Sequence, residues 1–348
     1  MLPSLPPELL RKVIESAVPH TFHSSNYGDR QATLCSLSLV SQTFREIAQP
    51  LLLEIVSIKW DEQIKFLLDT RDTDAGIKEL IAGPDASAEL VGEFLRRWKG
   101  FQSLAIECLD YDEIDLTVLN QHTKLAALQL SGPGHGIERL HAPHFPFLRS
   151  LTLDWQAIQS SVRFLLTPDV LPSLRALGLQ DLNSTNARQL KHIGLARLLP
   201  QLDAIFMSQS LYCHTHNDLF SGYSPRILVD IHEATLTLPS APEILMPVQH
   251  LRITTAAMEA SEFFQGLRDL LVACKEPNTM SLKSIYFDLS LHPSRIESPE
   301  PVVEMEQAMK EAKEAGLEVV FELEPSSTAD CYISRVFWDR QRRSREKE

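Results

Sequence analysis

Leu125-Ala126-Ala127-Leu128-Gln129-Leu130 places apolar residues at the first, fourth and sixth positions of a six-residue phrase. In an extended chain successive side chains point to opposite faces, so Leu128 and Leu130 share one face while Ala127 and Gln129 share the other. The phrase reads as a short strand with one apolar side. It recurs on both sides of this copy. Phe101-x-x-Leu104-x-Ile106 precedes it. Leu148-x-x-Leu151-x-Leu153, Leu174-x-x-Leu177-x-Leu179, Leu202-x-x-Ile205-x-Met207, Val248-x-x-Leu251-x-Ile253 and Leu282-x-x-Ile285-x-Phe287 follow it. From Phe101 to Leu202 the copies start 24, 23, 26 and 28 residues apart. The interval of 46 residues from 202 to 248 is close to two periods, with Ile227-x-Val229-x-Ile231 as a degenerate middle copy, and the last gap is 34.

A strand with a single apolar face cannot bury it alone, whereas a stack of such units buries each face against its neighbours. A phrase of this form with a period in the twenties resembles the leucine-rich repeats. The fold class expected is α/β: a curved parallel sheet with one strand per repeat, joined by helices and irregular segments. Pro146, Pro172 and Pro200 stand just before their phrases, where proline ends the preceding segment. The repeats lack the asparagine that many members carry after the strand, which makes this an irregular version. Helical returns are expected at Phe263, Phe264, Leu267, Leu270, Leu271 and Cys274, and at Val302, Met305, Met309 and Ala312, with Gly316 as a C-cap. Leu317 to Leu323 alternates as a final strand. Residues 60 to 98 read as a junction of two helical stretches around Gly83-Pro84, with Leu90, Phe94, Leu95 and Trp98 sealing the first repeat.

The N-terminal segment has a different period. Pro6 and Pro7 stand where a helix begins, Glu8 suits its first turn, and Leu9, Leu10, Val13, Ile14 and Ala17 form one stripe that Pro19 ends. His20 to Gln31 is polar and reads as a loop. Leu34, Leu37, Val40, Phe44, Ile47 and Leu51 then recur at helical spacing, broken near Ser41, with Thr43 and Glu46 fitting a capping box and Pro50 limiting the last helix. On periodicity alone this is a small helical cap on the following domain.

The order, gaps and residue types of Leu5-Pro6-x-Glu8-Leu9-Leu10-x-x-Val13-Ile14 and of Leu37-x-x-Val40-Ser41-x-x-Phe44-Arg45-x-Ile47-Ala48-x-Pro50-Leu51-Leu52 resemble the F-box pattern. Two features depart from it: the long loop from His20 to Gln31, and Leu53-Glu54 where an aromatic residue often stands. Taken with the repeats, the chain resembles fungal-type F-box proteins. The resemblance implies a helical bundle that binds the Skp-family adaptor of an SCF-type (cullin–RING) ubiquitin ligase. It implies adaptor contacts at Leu5, Pro6, Leu9, Leu10, Val13, Ile14, Leu37, Val40, Phe44, Ile47, Leu51 and Leu52. Pro6, Leu9, Leu10 and Ile14 are expected to be the exposed part, with Val40 and Phe44 holding the helices together. The organisation expected is an F-box over 1–53, a junction over 54–99, repeats over 100–325 and a basic tail over 326–348.

The strand residues flanking the buried positions point to the other, concave face. Among them Thr152, Asp154, Phe206, Arg252 and Tyr286 are the candidates for gripping a protein substrate, because aromatic and arginine residues anchor interfaces.

Composition narrows the function classes. The chain has 348 residues, 44% hydrophobic and 23% charged, with a formal net charge of −13. Phosphate backbones repel such a surface, so no nucleic-acid partner is expected. No apolar run approaches the ~20 residues that a membrane helix needs, and residues 1–10 lack a basic signal-type region. The five cysteines, Cys35, Cys108, Cys213, Cys274 and Cys331, form no CxxC pair, which suits the reducing cytosol or nucleus. Cys213-His214-Thr215-His216-Asn217-Asp218 offers metal-ligand types but has no second ligand pair at a recognisable spacing, so no metal and no cofactor are expected. Gly132-Pro133-Gly134-His135-Gly136 lacks the Lys and Ser/Thr of a phosphate-binding loop and reads as a plain loop. There is no GxSxG or HExxH, and the chain is not expected to be an enzyme. Asp339, Glu346 and Glu348 interrupt the basic tail, which reads as a solvated segment. A repeat scaffold with a helical cap and no ligase role is the alternative.

Overall fold

A computed structural model describes residues 6–18, 27–70, 76–107, 114–135, 145–159, 166–180, 197–208, 228–234, 250–255, 283–288, 307, 310–314 and 316–322. The chain divides into two compact units. One is Met1–Leu148 with Gln156–Leu165, and the other is Arg149–Trp155 with Leu166–Glu348.

The first unit begins with three helices, α1 (Pro7–Ala17), α2 (Tyr27–Ser38) and α3 (Gln42–Glu54). Pro7 opens α1 at a position whose N–H has no helical partner in any case. The break at Ser41 is where the sequence places it. The cap is Ser41 itself, whose hydroxyl accepts from Phe44 N at 3.3 Å, rather than Thr43. Two expectations are corrected. Tyr27 to Gln31 is helical, not loop. Gly28 is tolerated in the first turn because the leading N–H groups need no helical partner, and Arg30 and Leu34 turn inward. Pro50 does not end α3, which continues to Glu54. An internal proline costs ~3 kcal/mol, which burial of Ala48 and Leu51 on either side helps to offset.

Helix α3 runs directly into β1 (Ile55–Ile58), which is followed by α4 (Asp61–Thr70), β2 (Glu79–Ala82), α5 (Ala88–Arg97) and β3 (Ser103–Glu107). A minor two-stranded sheet pairs β4 (Ile114–Asp115) with β6 (Gly134–His135), and β5 (Ala127–Ser131) lies between them in sequence. Strands β1, β2, β3 and β5 form a parallel sheet in that order. The register is Ile55↔Glu79↔Ser103↔Ala127, a step of 24 residues each time. Residues 60 to 98 thus hold a strand between the two expected helices. The phrase runs through this part of the chain in disguise, as Leu53-x-x-Val56-x-Ile58 before the junction and Ile77-x-x-Leu80-x-Ala82 within it. Ala82 in the last position, and the helix-like leucines before Ile55, hide it.

Phe94, Leu95 and Trp98 are buried as expected. Phe94 stacks on Trp98 at 4.3 Å between ring centroids, and Phe101 meets the wholly buried His122 at 5.1 Å. The glycine-rich stretch is more ordered than a plain loop, since Gly134 pairs with Ile114. A Cβ on Gly134 would stand 2.5 Å from Leu116 Cδ1, so only glycine allows the approach.

The second unit is built on seven parallel strands in sequence order: β7 (Ser150–Leu153), β8 (Ala176–Leu179), β9 (Ala204–Ser208), β10 (Leu228–Ala234), β11 (His250–Thr255), β12 (Ser284–Asp288) and β13 (Glu318–Glu322). The degenerate copy at 227–231 is strand β10, and the final alternating segment is β13. Each strand joins its successor in a parallel ladder, and the register row Leu151↔Leu177↔Ile205↔Val229↔Leu251↔Ile285↔Val319 carries the apolar phrase positions across the sheet. Gly316 has φ +76°, and Leu317 N donates to Ala312 O at 2.9 Å, which is the expected helix stop before β13. The expected helical return at 263–274 lies outside the described residues, as does the tail.

Candidate functional site

The helical bundle presents the first candidate surface. Leu10, Ile14, Val18, Leu34, Ala48 and Leu51 form its buried core, with Leu37, Phe44, Ile47 and Leu52 packed partly buried against it. Leu9 and Val13, one position back on α1, are 48% and 53% exposed. A residue step turns a helix by about 100°, so Leu10 and Ile14 face inward while Leu9 and Val13, four apart, share an outward strip. The expected exposed set is corrected accordingly. Pro6 and Leu9 are exposed, but Leu10 and Ile14 are core, and Val13 takes their place. Leu5 lies outside the described residues.

Val40 does not hold the helices together. It is 64% exposed, in the turn that closes α2, where its N–H donates to Leu37 O at 3.1 Å. Its neighbour Leu39 is 78% exposed and was not among the sequence candidates. The bundle therefore carries two outward apolar pairs, one on α1 and one at the α2–α3 turn. The signal for Leu39 is in the sequence: the α2 period is already filled by Leu34 and Leu37, which leaves Leu39 no inward position.

The second candidate is the sheet face of the second unit. Thr152, Gly178, Phe206, Asp230, Arg252 and Tyr286 occupy a single register row across six strands. Four of the five sequence candidates thus line up. Asp230, which the degenerate copy concealed, falls between Phe206 and Arg252. Asp154 stands just past the end of β7. The row is not open throughout. Phe206 is 4% exposed and Asp154 8%, and every residue of β8 is buried. A Cβ on Gly178 would come within 2.8 Å of Thr152 Oγ1, so the row is tightly closed at that end. Phe206 and Asp154 are buried within the chain itself, and this corrects their placement on an open binding surface.

A groove of about 370 Å³ is lined by Val56, Ser57, Glu62, Gln63, Phe66 and Leu67, with Trp60 and Phe66 exposed. It offers no catalytic pair. Gln63 Oε1 is engaged in accepting from Lys59 N at 2.6 Å and Trp60 N at 3.3 Å, which caps the start of α4. Among the described residues no group of His, Cys, Asp and Glu is placed to hold a metal ion, and no helix is long and apolar enough to cross a membrane. Cys213, His214 and His216 lie outside the described residues. The one cysteine described is Cys35, free and exposed on α2.

No family model matches this chain, and no curated protein is detectably similar to it.

Proposed function

We propose that the chain is a substrate-recognition subunit of an SCF-type ubiquitin ligase, with the N-terminal bundle as an F-box that binds an Skp-family adaptor and the sheet domain as an irregular leucine-rich repeat solenoid that holds a protein substrate. The observation that carries the reading is the exposed apolar surface of the bundle: Leu9 and Val13 on one strip of α1, and Leu39 and Val40 at the turn, outside its buried core. Exposed apolar groups in excess of what the fold uses mark an interaction site. Leu9, Val13 and Val40 also fall within the stretch that resembles the F-box pattern. The mechanism is one of proximity. The chain makes no bond itself, and fixing the substrate near the charged ubiquitin carrier raises its effective concentration and orients it.

One observation favours the alternative, a repeat scaffold with a helical cap: α3 passes into β1 without a linker, as a capping element does. Co-purification of the full chain with an Skp-family adaptor separates the two. A stoichiometric complex supports the ligase reading. Absence of any complex, with the chain folded, leaves the capped scaffold.

A further inference from the structure

Strand β1 forms one edge of the sheet in the first unit. It pairs with β2 and with no other strand among the described residues. One 24-residue step before Ile55 falls on Gln31, which lies inside α2, so the strand stack is not continued on that side. Glu54 O accepts from Lys78 N at 2.8 Å, and Ile58 O accepts from Gly83 N at 2.8 Å. Backbone direction alternates along a strand, so residues 54, 56 and 58 face β2, and the N–H and C=O of Ser57 face away from it. Neither Ser57 group has a partner among the described residues. At Lys59, the next outward position, the N–H already donates to Gln63 Oε1 at 2.6 Å. Natural edge strands are blunted by lysine, proline or a bulge, whereas Ile55-Val56-Ser57-Ile58 contains none of these and is rich in strand-forming residues. The groove of about 370 Å³ adjoins this edge. Val56 and Ser57 form one wall, and Glu62, Gln63, Phe66 and Leu67 form the other as a single stripe of α4. Glu62 is the one charged group in the lining and has no ion pair among the described residues. End units of a repeat stack ordinarily carry a polar outer face, yet this one leaves Trp60 and Phe66 exposed.

We propose that the open edge of β1 and the adjoining groove bind an extended peptide of a partner protein that carries an apolar and a basic residue two positions apart. The peptide adds as a strand beside β1, and its main chain bonds to the N–H and C=O of Ser57. Side chains two apart share a face, so the apolar one enters the groove against Phe66 and Leu67 while the basic one meets Glu62. The choice of a basic residue follows from charge: Glu62 is the groove's only ionised group, and the chain as a whole carries −13. The inference concerns the end of the sheet and does not rest on what the helical bundle binds.

The test is fluorescence anisotropy of a labelled heptapeptide, Thr-Lys-Thr-Leu-Thr-Lys-Thr, titrated with the full chain at about 0.15 M salt, where distant charges are screened. The sequence reads the same in both directions, so strand orientation does not matter. One peptide is expected to bind per chain. Methylating the peptide's backbone nitrogens keeps its charge but blocks strand pairing, and is expected to weaken binding roughly tenfold. Ser57→Pro removes the outward N–H at a position where an edge strand tolerates proline, and is expected to weaken binding by a similar factor at an unchanged unfolding temperature. The counterpart peptide with glutamate for lysine is expected to bind less tightly than the lysine peptide, and Glu62→Lys to reverse that order. Absence of binding by the natural chain overturns the proposal. So does equal binding of the methylated peptide, which decides the matter even where Ser57→Pro fails to fold, or an order that Glu62→Lys leaves unreversed. Hydrogen exchange of the β1 amides separates the other occupants. Fast exchange at Ser57 that slows when the peptide binds supports the proposal. Slow exchange in the free chain at every concentration assigns the edge to a segment of this chain, and slow exchange only at high concentration assigns it to a second copy; either result overturns the proposal.

Discussion

The helical bundle and the parallel sheets use apolar residues in opposite ways. In the sheets nearly every apolar phrase residue is consumed. Leu104, Ile106, Leu128 and Leu130 are all buried in the first unit, and Leu151, Leu177, Ile205 and Leu251 are buried in the second. In the bundle the stripe on α1 is wider than the core it serves, so Leu10 and Ile14 are buried while Leu9 and Val13 face outward. In the sheets the apolar phrase residues are filled by neighbouring strands, whereas the short bundle leaves part of its apolar stripe exposed.

That contrast can be broken most severely in the aromatic stack. Phe94→Ala removes a wholly buried ring and is expected to cost about 3–5 kcal/mol. Leu9→Ala is expected to stay within about 0.5 kcal/mol. Chemical denaturation of both variants checks the pair, and equal losses would mean that Leu9 belongs to a core.

The next effect is on pH dependence. Burial lowers the pKa of His122 to about 4, with a lesser opposing pull from the Leu95 backbone and a further lowering from Lys99. Neither ring nitrogen has a partner in hydrogen-bond geometry among the described residues. The unfolded chain takes up this proton near pH 6.5 and the folded chain only near 4, so the stability is complete above 6.5 and declines as pH falls through that window, by up to roughly 3 kcal/mol. His122→Phe is expected to flatten this limb of the pH–stability curve. An unchanged acid limb would show that His122 is hydrated or already paired.

The smallest effect sharpens the bundle side. Ser41→Ala removes the hydroxyl that accepts from Phe44 N, and is expected to cost about 1 kcal/mol in thermal unfolding. No loss would mean that the α2–α3 turn is held by packing alone.

Much of the sheet was legible because the phrase repeats. Alternation at Leu148-x-x-Leu151-x-Leu153 fixes face and register together, so β7 to β9 follow from the sequence almost residue for residue. Strands β1 and β2 were not legible. The β1 phrase starts at Leu53 inside the end of α3, past the proline expected to stop that helix, and Ala82 stands where a larger residue usually completes the phrase. Periodicity also fails to fix the bundle's inward direction. A two-residue-wide stripe on α1 fits either pair, and only packing against Leu34 and Ala48 decides for Leu10 and Ile14. The row from Thr152 to Tyr286 was legible as alternating positions. The burial of Phe206 was not, because alternation gives the face a side chain takes and not what covers that face.

The central claim is that the outward face of the bundle is an adaptor-binding surface, and calorimetric titration of an Skp-family adaptor into the full chain, natural and Leu9→Asp, tests it most directly. Placing a carboxylate against an apolar partner costs far more than the lost leucine contacts. The prediction is that the natural chain binds one adaptor, that Leu9→Asp loses detectable binding, and that both unfold at the same temperature. No binding by the natural chain, or equal binding by both, would contradict the account.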